Sequence, residues 1–370
     1  MTDFVVVGGG IAGLAAAAHL SPHGSVALLE TEQSLAFHTT GRSAALFVVN
    51  YGGQGSRPLA LASQSFLEDP PEGATDAPFL SDRGALWVAD ETQVELLHEI
   101  ADEGRRSGAG SELVDTAGVL DLVHKLRPDR IAEGLYEPSA QDIDVAALHQ
   151  AFVRIARRHN AEIRLSSPVT ALTRLDTGWR VTTPGESLDC SVVVNASGAW
   201  GDLVAVMAGV EPIGLEPMRR TAFMVPGDEA YSRWPMVVDV EHNFYFRPDG
   251  VQLLCSLAEE TPSEPMDSRP EMEDVALTIE RINQATTLDI RTVNSQWAGL
   301  RTFAPDRDLV IGEDPTAPGF FWLVGQGGTG IMTSPAYGAL LASQVLGTGL
   351  PAELAQAGVD PATTSPHRFR

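Results

Sequence analysis

The chain has little cysteine, no excess of positive charge and no long uninterrupted apolar run. Two cysteines, Cys190 and Cys255, stand far apart in 370 residues and form no CxxC pair. That excludes a disulfide framework and fits a reducing compartment. The nine histidines make no HxH or HExxH arrangement, so no metal site is expected. A net charge of −24 and a pI near 4.6 exclude the broad cationic surface that holds nucleic acid or an anionic membrane. No apolar segment reaches about 18 charge-free residues without glycine clusters, and no basic leader with a cleavage site opens the chain. The expectations are therefore no transmembrane segment, no secretion and a cytoplasmic location. At 370 residues with 44% apolar content, two domains or one elaborated domain are expected.

What is present begins at residue 3, with "DFVVVGGGIAGLAAAAHL". Phe4–Val7 reads as a buried parallel strand, followed by glycines and an Ala-rich helix. Gly8, Gly10 and Gly13 complete GxGxxG, the pattern that gives a tight turn, a close backbone approach to a pyrophosphate and close helix–strand packing. The helix start offers free N–H groups and the positive end of its dipole. A second strand, "SVALLE", ends in Glu30, whose carboxylate is spaced to accept ribose hydroxyls. Strand, glycines, helix, second strand and acid together point to an ADP-containing cofactor, NAD or FAD.

Three further segments favour FAD. "FHTTGRSAAL" after Glu30 is a polar loop supplying hydroxyls and Arg42. "DVAALHQAFVRIARRHN" has Asp144 as a helix cap and Val145, Leu148, Phe152 and Ile155 on one face. It leads into a hairpin turning at Asp176–Gly178 and then into "SVVVNASGAW", a buried strand breaking into a small-residue turn. Last, strands over 309–312 and 320–324 precede "GQGGTG" and a helix beginning near Thr333. The start of such a helix suits the N1–C2=O edge of a flavin, where reduction gathers negative charge.

Taken jointly, "VVVGGGIAGLAAAAHL", "TTGRSAAL", "DIDVAALHQAF", "VVVNASGAWGD", "WAGLRTFAPDRDLVIG" and "GQGGTGIMTS" resemble the FAD-dependent D-amino acid oxidase and dehydrogenase family over nearly the whole chain. That family includes glycine and sarcosine oxidases. "HTTGRSAA", "MRRTAF", "NFYFRPD" and "WAGLRTF" look most like its bacterial D-arginine dehydrogenase branch. The resemblance implies an α/β fold, a Rossmann-like FAD-binding domain (1–77, 145–211 and 299–370) interleaved with an α+β substrate domain (78–144 and 212–298) built on a mainly antiparallel sheet. It implies hydride transfer from a substrate Cα–H to flavin N5 and hydrolysis of the imino acid to a 2-oxo acid and ammonia; with neither Cys190 nor Cys255 in a flavin-contacting motif, the FAD is expected to be held non-covalently. The cofactor is expected against Gly8, Gly10, Ile11, Ala12, Gly13 and Glu30, and against Thr40, Gly41, Arg42, Ser43 and Ala44. Val169, Ala196, Gly198, Trp200, Gly299 and Arg301 follow, then Gly327, Gly328, Thr329, Gly330 and Ile331.

One residue raises its own question. Arg301 sits in the apolar run "WAGLRTF", and a guanidinium buried without an anion costs several kcal/mol, order of magnitude. The anion is either an internal carboxylate or part of a substrate. The resemblance makes Arg301 the anchor of a substrate α-carboxylate, with Arg220, Tyr245 and Tyr51 beside it. The residues themselves add that strands alternate faces, so Arg219 and Arg220 point oppositely, Met236 and Val238 share a face, and Tyr245 opposes Phe244 and Phe246. The resemblance makes Leu46, Ala85, Met236, Val238 and Gly328 the pocket positions. D-arginine dehydrogenases carry a histidine where this chain has Leu46 and a glutamate where it has Ala85, so a neutral, apolar substrate side chain is expected. Oxidation of an N-methyl or other secondary amino acid, a hydroxy-acid dehydrogenase and a flavin-binding subunit of a hetero-oligomer stay open as alternatives. So does the electron acceptor, quinone or oxygen.

Overall fold

Apolar runs with β-branched residues make the strands here, and the inner strands, which run parallel, are buried on both faces. The computed structural model describes residues 2–49, 51–107 and 110–370. At its centre Thr2–Val7 pairs in parallel with Val26–Leu29 on one side and with Glu186–Asn195 on the other. Glu162–Arg164 extends the sheet beyond Val26–Leu29. The long strand Glu186–Asn195 pairs with Trp179–Thr183 along its first half and with Phe320–Val324 at its end. Ala171–Arg174 and Val310–Glu313 finish the sheet as antiparallel partners.

Three helices, Ile11–Leu20, Val145–Arg158 and Ser334–Leu346, share one apolar core against this sheet. Ala15, Ala16 and Ala17 are fully buried; their small side chains let the helices approach closely. Asp144 caps its helix by accepting from the Ala147 N–H at 2.8 Å, and Leu148 and Phe152 are buried. Both features follow the sequence reading.

The second sheet has nine strands and is mostly antiparallel. Its backbone is the pairing of Glu216–Pro226 with Ser295–Phe303, in register from Glu216 opposite Phe303 to Met224 opposite Ser295. In that register Arg220 lies opposite Gly299 and Met218 opposite Arg301. Arg220 and Arg301 are therefore diagonal neighbours on one face, within reach of each other's long side chains. Alternation sends Arg219 the other way, to Glu271 and to Asp274 at 2.9 Å beside the helix Met272–Ala285. In the same sheet Met236 lies opposite Ala85, and Val238 opposite both Trp87 and Tyr245. Tyr245 and Val238 pack on one face, whereas Phe244 and Phe246 join the core on the other.

A small third sheet joins Leu46–Phe47, Gln141–Ile143 and Leu80–Asp82. The polar loop after Glu30 is stitched to the second sheet: Thr39 Oγ1 donates to the Leu300 carbonyl at 2.8 Å, and Arg42 Nη1 to that of Ala298 at 2.8 Å. The Trp297 indole returns a bond to the Arg42 carbonyl at 3.0 Å. No described helix is long and apolar enough to cross a membrane, and no described group of three His, Cys, Asp or Glu side chains could hold a metal ion.

Candidate active site

The glycine loop after Thr2–Val7 opens into a cavity of about 570 Å³ that runs on to Arg220 and Arg301. Gly8 has φ 111°, and a Cβ there would lie 2.5 Å from the Ala196 carbonyl oxygen, so only glycine fits where the loop passes the neighbouring strand. Gly10, at the start of the helix Ile11–Leu20, brings no capping side chain of its own, which leaves part of the first turn to a ligand. Thr40 Oγ1 accepts from the Ile11 N–H at 3.0 Å, tying the polar loop to the helix start. Glu30 closes the other side: its carboxylate accepts from Gly9 N at 2.6 Å and Glu32 N at 2.8 Å, and it lines the cavity.

Of the expected cofactor positions, Gly8, Gly10, Ile11, Ala12, Glu30, Thr40, Arg42, Ser43 and Ala44 line this cavity, as do Val169, Ala196, Gly198 and Trp200. Gly299, Arg301, Gly327, Gly328, Gly330 and Ile331 complete the wall. Gly13, Gly41 and Thr329 stand behind it. A Cβ on Gly13 would strike the Gly8 carbonyl, one on Gly41 would strike that of Ala36, and Thr329 Oγ1 donates to the Gln326 carbonyl at 3.0 Å. Arg42 borders the cavity, but its guanidinium is committed to Asp267 at 2.6 Å and to the Ser268 and Ala298 carbonyls. It works as a strut.

At the other end the cavity is lined by Tyr51, Arg220, Tyr245 and Arg301, with Leu46, Ala85, Trp87, Met236 and Val238 as its apolar side. Arg301 makes one polar contact among the described residues, Nη1 to the Tyr51 hydroxyl at 3.4 Å, and no ion pair. Burial works against its charge, and Tyr51, Tyr245 and Glu260 outweigh that, leaving its pKa above the ordinary value. Arg220 Nε donates to the Glu259 carbonyl at 2.6 Å. Its closest carboxylate, Glu260, is 3.5 Å away and is held more tightly by Arg307 at 2.8 Å. Burial and then the neighbouring Arg301 push the Arg220 pKa down, yet both guanidiniums stay charged in the accessible range. Two cations share one wall, with part of one carboxylate between them. Such a wall attracts an anion.

Gly328 makes that wall possible. A Cβ there would lie 2.8 Å from the Tyr51 hydroxyl and 3.1 Å from Arg301 Nη1. Gly328→Ala is expected to displace the two side-chain tips and leave the fold intact, because the clash falls on flexible ends. Steady-state kinetics on the variant should show KM raised at least tenfold, order of magnitude, with FAD content unchanged.

Sequence reasoning missed His242, which lines the same cavity as Arg220 and Arg301. It stands in the turn between Met236–Asp239 and Tyr245–Asp249 with φ 59°. The only signal was its position three residues before Tyr245.

A dinucleotide-type sheet whose phosphate loop shares a cavity with a wall carrying two guanidiniums fits a flavin-type oxidoreductase. The chain belongs to the DAO family of FAD dependent oxidoreductases, which it matches over residues 3–344, and its cofactor is FAD. Among curated relatives it is 27% identical to rat (Rattus norvegicus) mitochondrial dimethylglycine dehydrogenase over 261 residues, covering 68% of this chain and 30% of that protein. It is 25% identical to human (Homo sapiens) mitochondrial sarcosine dehydrogenase over 363 residues, covering 93% of this chain and 39% of that one. The chain thus spans about a third of the length of these curated relatives. Its fold is that of glycine oxidase from Geobacillus kaustophilus, with a TM-score of 0.87 at 22% identity, covering 100% of this chain and 99% of that one.

Neither cysteine lies on the cavity wall: Cys190 is buried opposite Trp179 on the neighbouring strand, and Cys255 in the core under the antiparallel sheet. Burial pushes the Cys190 thiol up to about 12 and the Cys255 thiol higher, so neither is a ready nucleophile. Acid precipitation is therefore expected to release all the yellow colour into the supernatant; colour in the pellet would count against a non-covalent cofactor.

Proposed function

We propose that this chain oxidises a small α-amino acid with a neutral, apolar side chain, foremost a D-amino acid, to its imino acid, which water hydrolyses to the 2-oxo acid and ammonia. The observation that carries the reading is the Arg301 guanidinium, on a cavity wall with no ion pair among the described residues. A substrate α-carboxylate supplies the missing anion, and the planar fork of Arg301 fixes its orientation as well as its charge. Arg220 takes the same carboxylate from the neighbouring strand, and the Tyr51 and Tyr245 hydroxyls stand by to donate. Leu46, Ala85, Met236 and Val238 receive the side chain and keep water from it. Bound FAD supplies the acceptor for the hydride that leaves Cα. Ser334–Leu346 brings the positive end of a helix to the glycine-rich loop at 325–330. The work divides along the two sheets, the parallel one holding the cofactor and the antiparallel one the substrate.

The likeness to D-arginine dehydrogenases supports the D configuration, and Leu46 with Ala85 argues against a basic side chain. A second reading is favoured by the names of the relatives above: oxidation of an N-methyl amino acid, which uses the same carboxylate anchor. Anaerobic bleaching of the flavin by a panel of D-, L- and N-methyl amino acids tests both. Bleaching by D-leucine or D-methionine supports the first, bleaching by N-methylglycine alone replaces it with the second, and bleaching by none of them sinks both. Turnover by the purified single chain with an artificial acceptor separates an enzyme from a subunit that only holds flavin.

A further inference from the structure

An amino acid reaches this cavity with its nitrogen protonated, and an ammonium has no lone pair with which to form a C=N bond. Oxidation therefore needs a proton acceptor at the substrate end. Arg220 and Arg301 only donate. The acids on the cavity wall, Glu30 and Glu32, belong to the dinucleotide loop side, where Glu32 is bonded to His38 at 3.0 Å. Glu260 is shared by Arg307 and Arg220. The remaining base is His242. Its ring faces the cavity and makes no hydrogen bond or ion pair among the described residues, and its left-handed backbone is pinned by its N–H donating to the Asp239 carbonyl at 2.8 Å. Asp239 is itself fixed by the Asn243 N–H and amide.

We propose that His242 is a catalytic residue of this reaction, its imidazole accepting the proton that the substrate ammonium must lose. An N–H bond of the ammonium breaks and its proton goes to the ring nitrogen. The freed lone pair then forms the C=N bond as the Cα–H bond breaks, and that hydrogen leaves with its electron pair to FAD. The imidazolium returns its proton to water. The proposal rests on the amino acid reading above.

The groups around the ring fit this role. Arg220 and Arg301 face it from the long strand pair, Glu260 from the loop beside them, and Asp239, Glu241 and Tyr245 belong to its own hairpin. The residue is exposed where the cavity opens, while protein packs round part of its ring. Burial first and the Arg220 charge second push its pKa below the ordinary histidine value, Arg301 adds to this, and Asp239 and Glu260 oppose it. His242 is thus neutral and able to accept near pH 7. The same positive wall lowers the pKa of a bound ammonium, which eases the transfer.

The test is anaerobic stopped-flow bleaching of FAD-loaded wild type and His242→Asn by D-leucine and by N-methylglycine, from about pH 5 to about pH 10. Asparagine tolerates the left-handed conformation. In wild type the bleaching rate should fall only as pH drops through a pKa below that of an ordinary histidine. The variant should be roughly 100-fold slower near pH 7 and return to within about threefold of wild type at the alkaline end, where the amine is already neutral. A uniform deficit at every pH would mean a structural role and overturn the proposal, as would no deficit. If wild type itself sped up only through the substrate's own ammonium pKa, the proposal would fall without recourse to the variant. Wild type bleached by neither probe would overturn the amino acid reading, and this inference with it.

Discussion

Arg301→Ala should give a yellow, folded protein with almost no turnover. Arg301 carries no structural ion pair among the described residues, so its loss strands no buried carboxylate and the fold should hold. The substrate loses a charge-assisted pair worth about 1.5–3 kcal/mol, or roughly ten- to hundredfold in kcat/KM. Loss of orientation adds to this, because Arg220 alone holds the carboxylate from one side and Cα swings away from the flavin. Arg220 should even gain, since its cationic neighbour is gone; residual binding with a collapsed kcat is the expected pattern. Arg301→Lys should also be poor, because one ammonium cannot reproduce the fork. Kinetics on FAD-saturated protein decide it: a near wild-type kcat/KM in Arg301→Ala would move the anchor elsewhere.

The second large effect concerns the substrate side chain. Ala85 and Met236 lie opposite each other on neighbouring strands, and Leu46 closes the same end. A guanidinium or ammonium placed there is desolvated without an anion, a cost of about 2–5 kcal/mol. An apolar chain instead gains roughly 25 cal/mol for each Å² buried. D-leucine, D-methionine or D-phenylalanine should therefore outperform D-arginine and D-lysine by tens- to thousandfold in kcat/KM, order of magnitude. Ala85→Glu should shift preference towards the basic substrates, but at a cost in stability. Its cross-strand neighbour on the other side is Glu137, itself buried, and two carboxylates one strand apart repel. A wild-type preference for D-arginine over D-leucine would refute the apolar pocket and make Glu137 the carboxylate to examine.

Much of this site was legible because its parts obey local rules. The glycine loop, the Asp144 cap and the opposed faces of Arg219 and Arg220 each follow from spacing or from the two-residue period of a strand. What the sequence hid depends on distant partners. No spacing rule brings Tyr51 to Arg301 across 250 positions, a pairing that only the family resemblance suggested, and none says that Gly328 must lack a side chain for them to meet. Arg42 reads as a cofactor ligand in a polar loop, and only the fold reveals that Asp267, Ser268 and Ala298 occupy it. His242 escaped because a polar residue in a turn carries no periodicity; only the fold brings this residue, with its φ of 59°, to the cavity wall.

The order of strands in the parallel sheet bears on how the molecule comes into being. Thr2–Val7 is synthesised before the strands it pairs with but sits in the middle, and its second neighbour, Glu186–Asn195, leaves the ribosome long afterwards. Phe320–Val324, which closes that side, comes later still. Contacts of such separation are slow to form, because a long loop must close before it is rewarded. Until then the glycine loop is present without its far wall. FAD is consequently a late ligand: it binds only the finished sheet, and by mass action its binding adds to the stability of that state alone. A cell short of flavin would hold this chain in its least stabilised form.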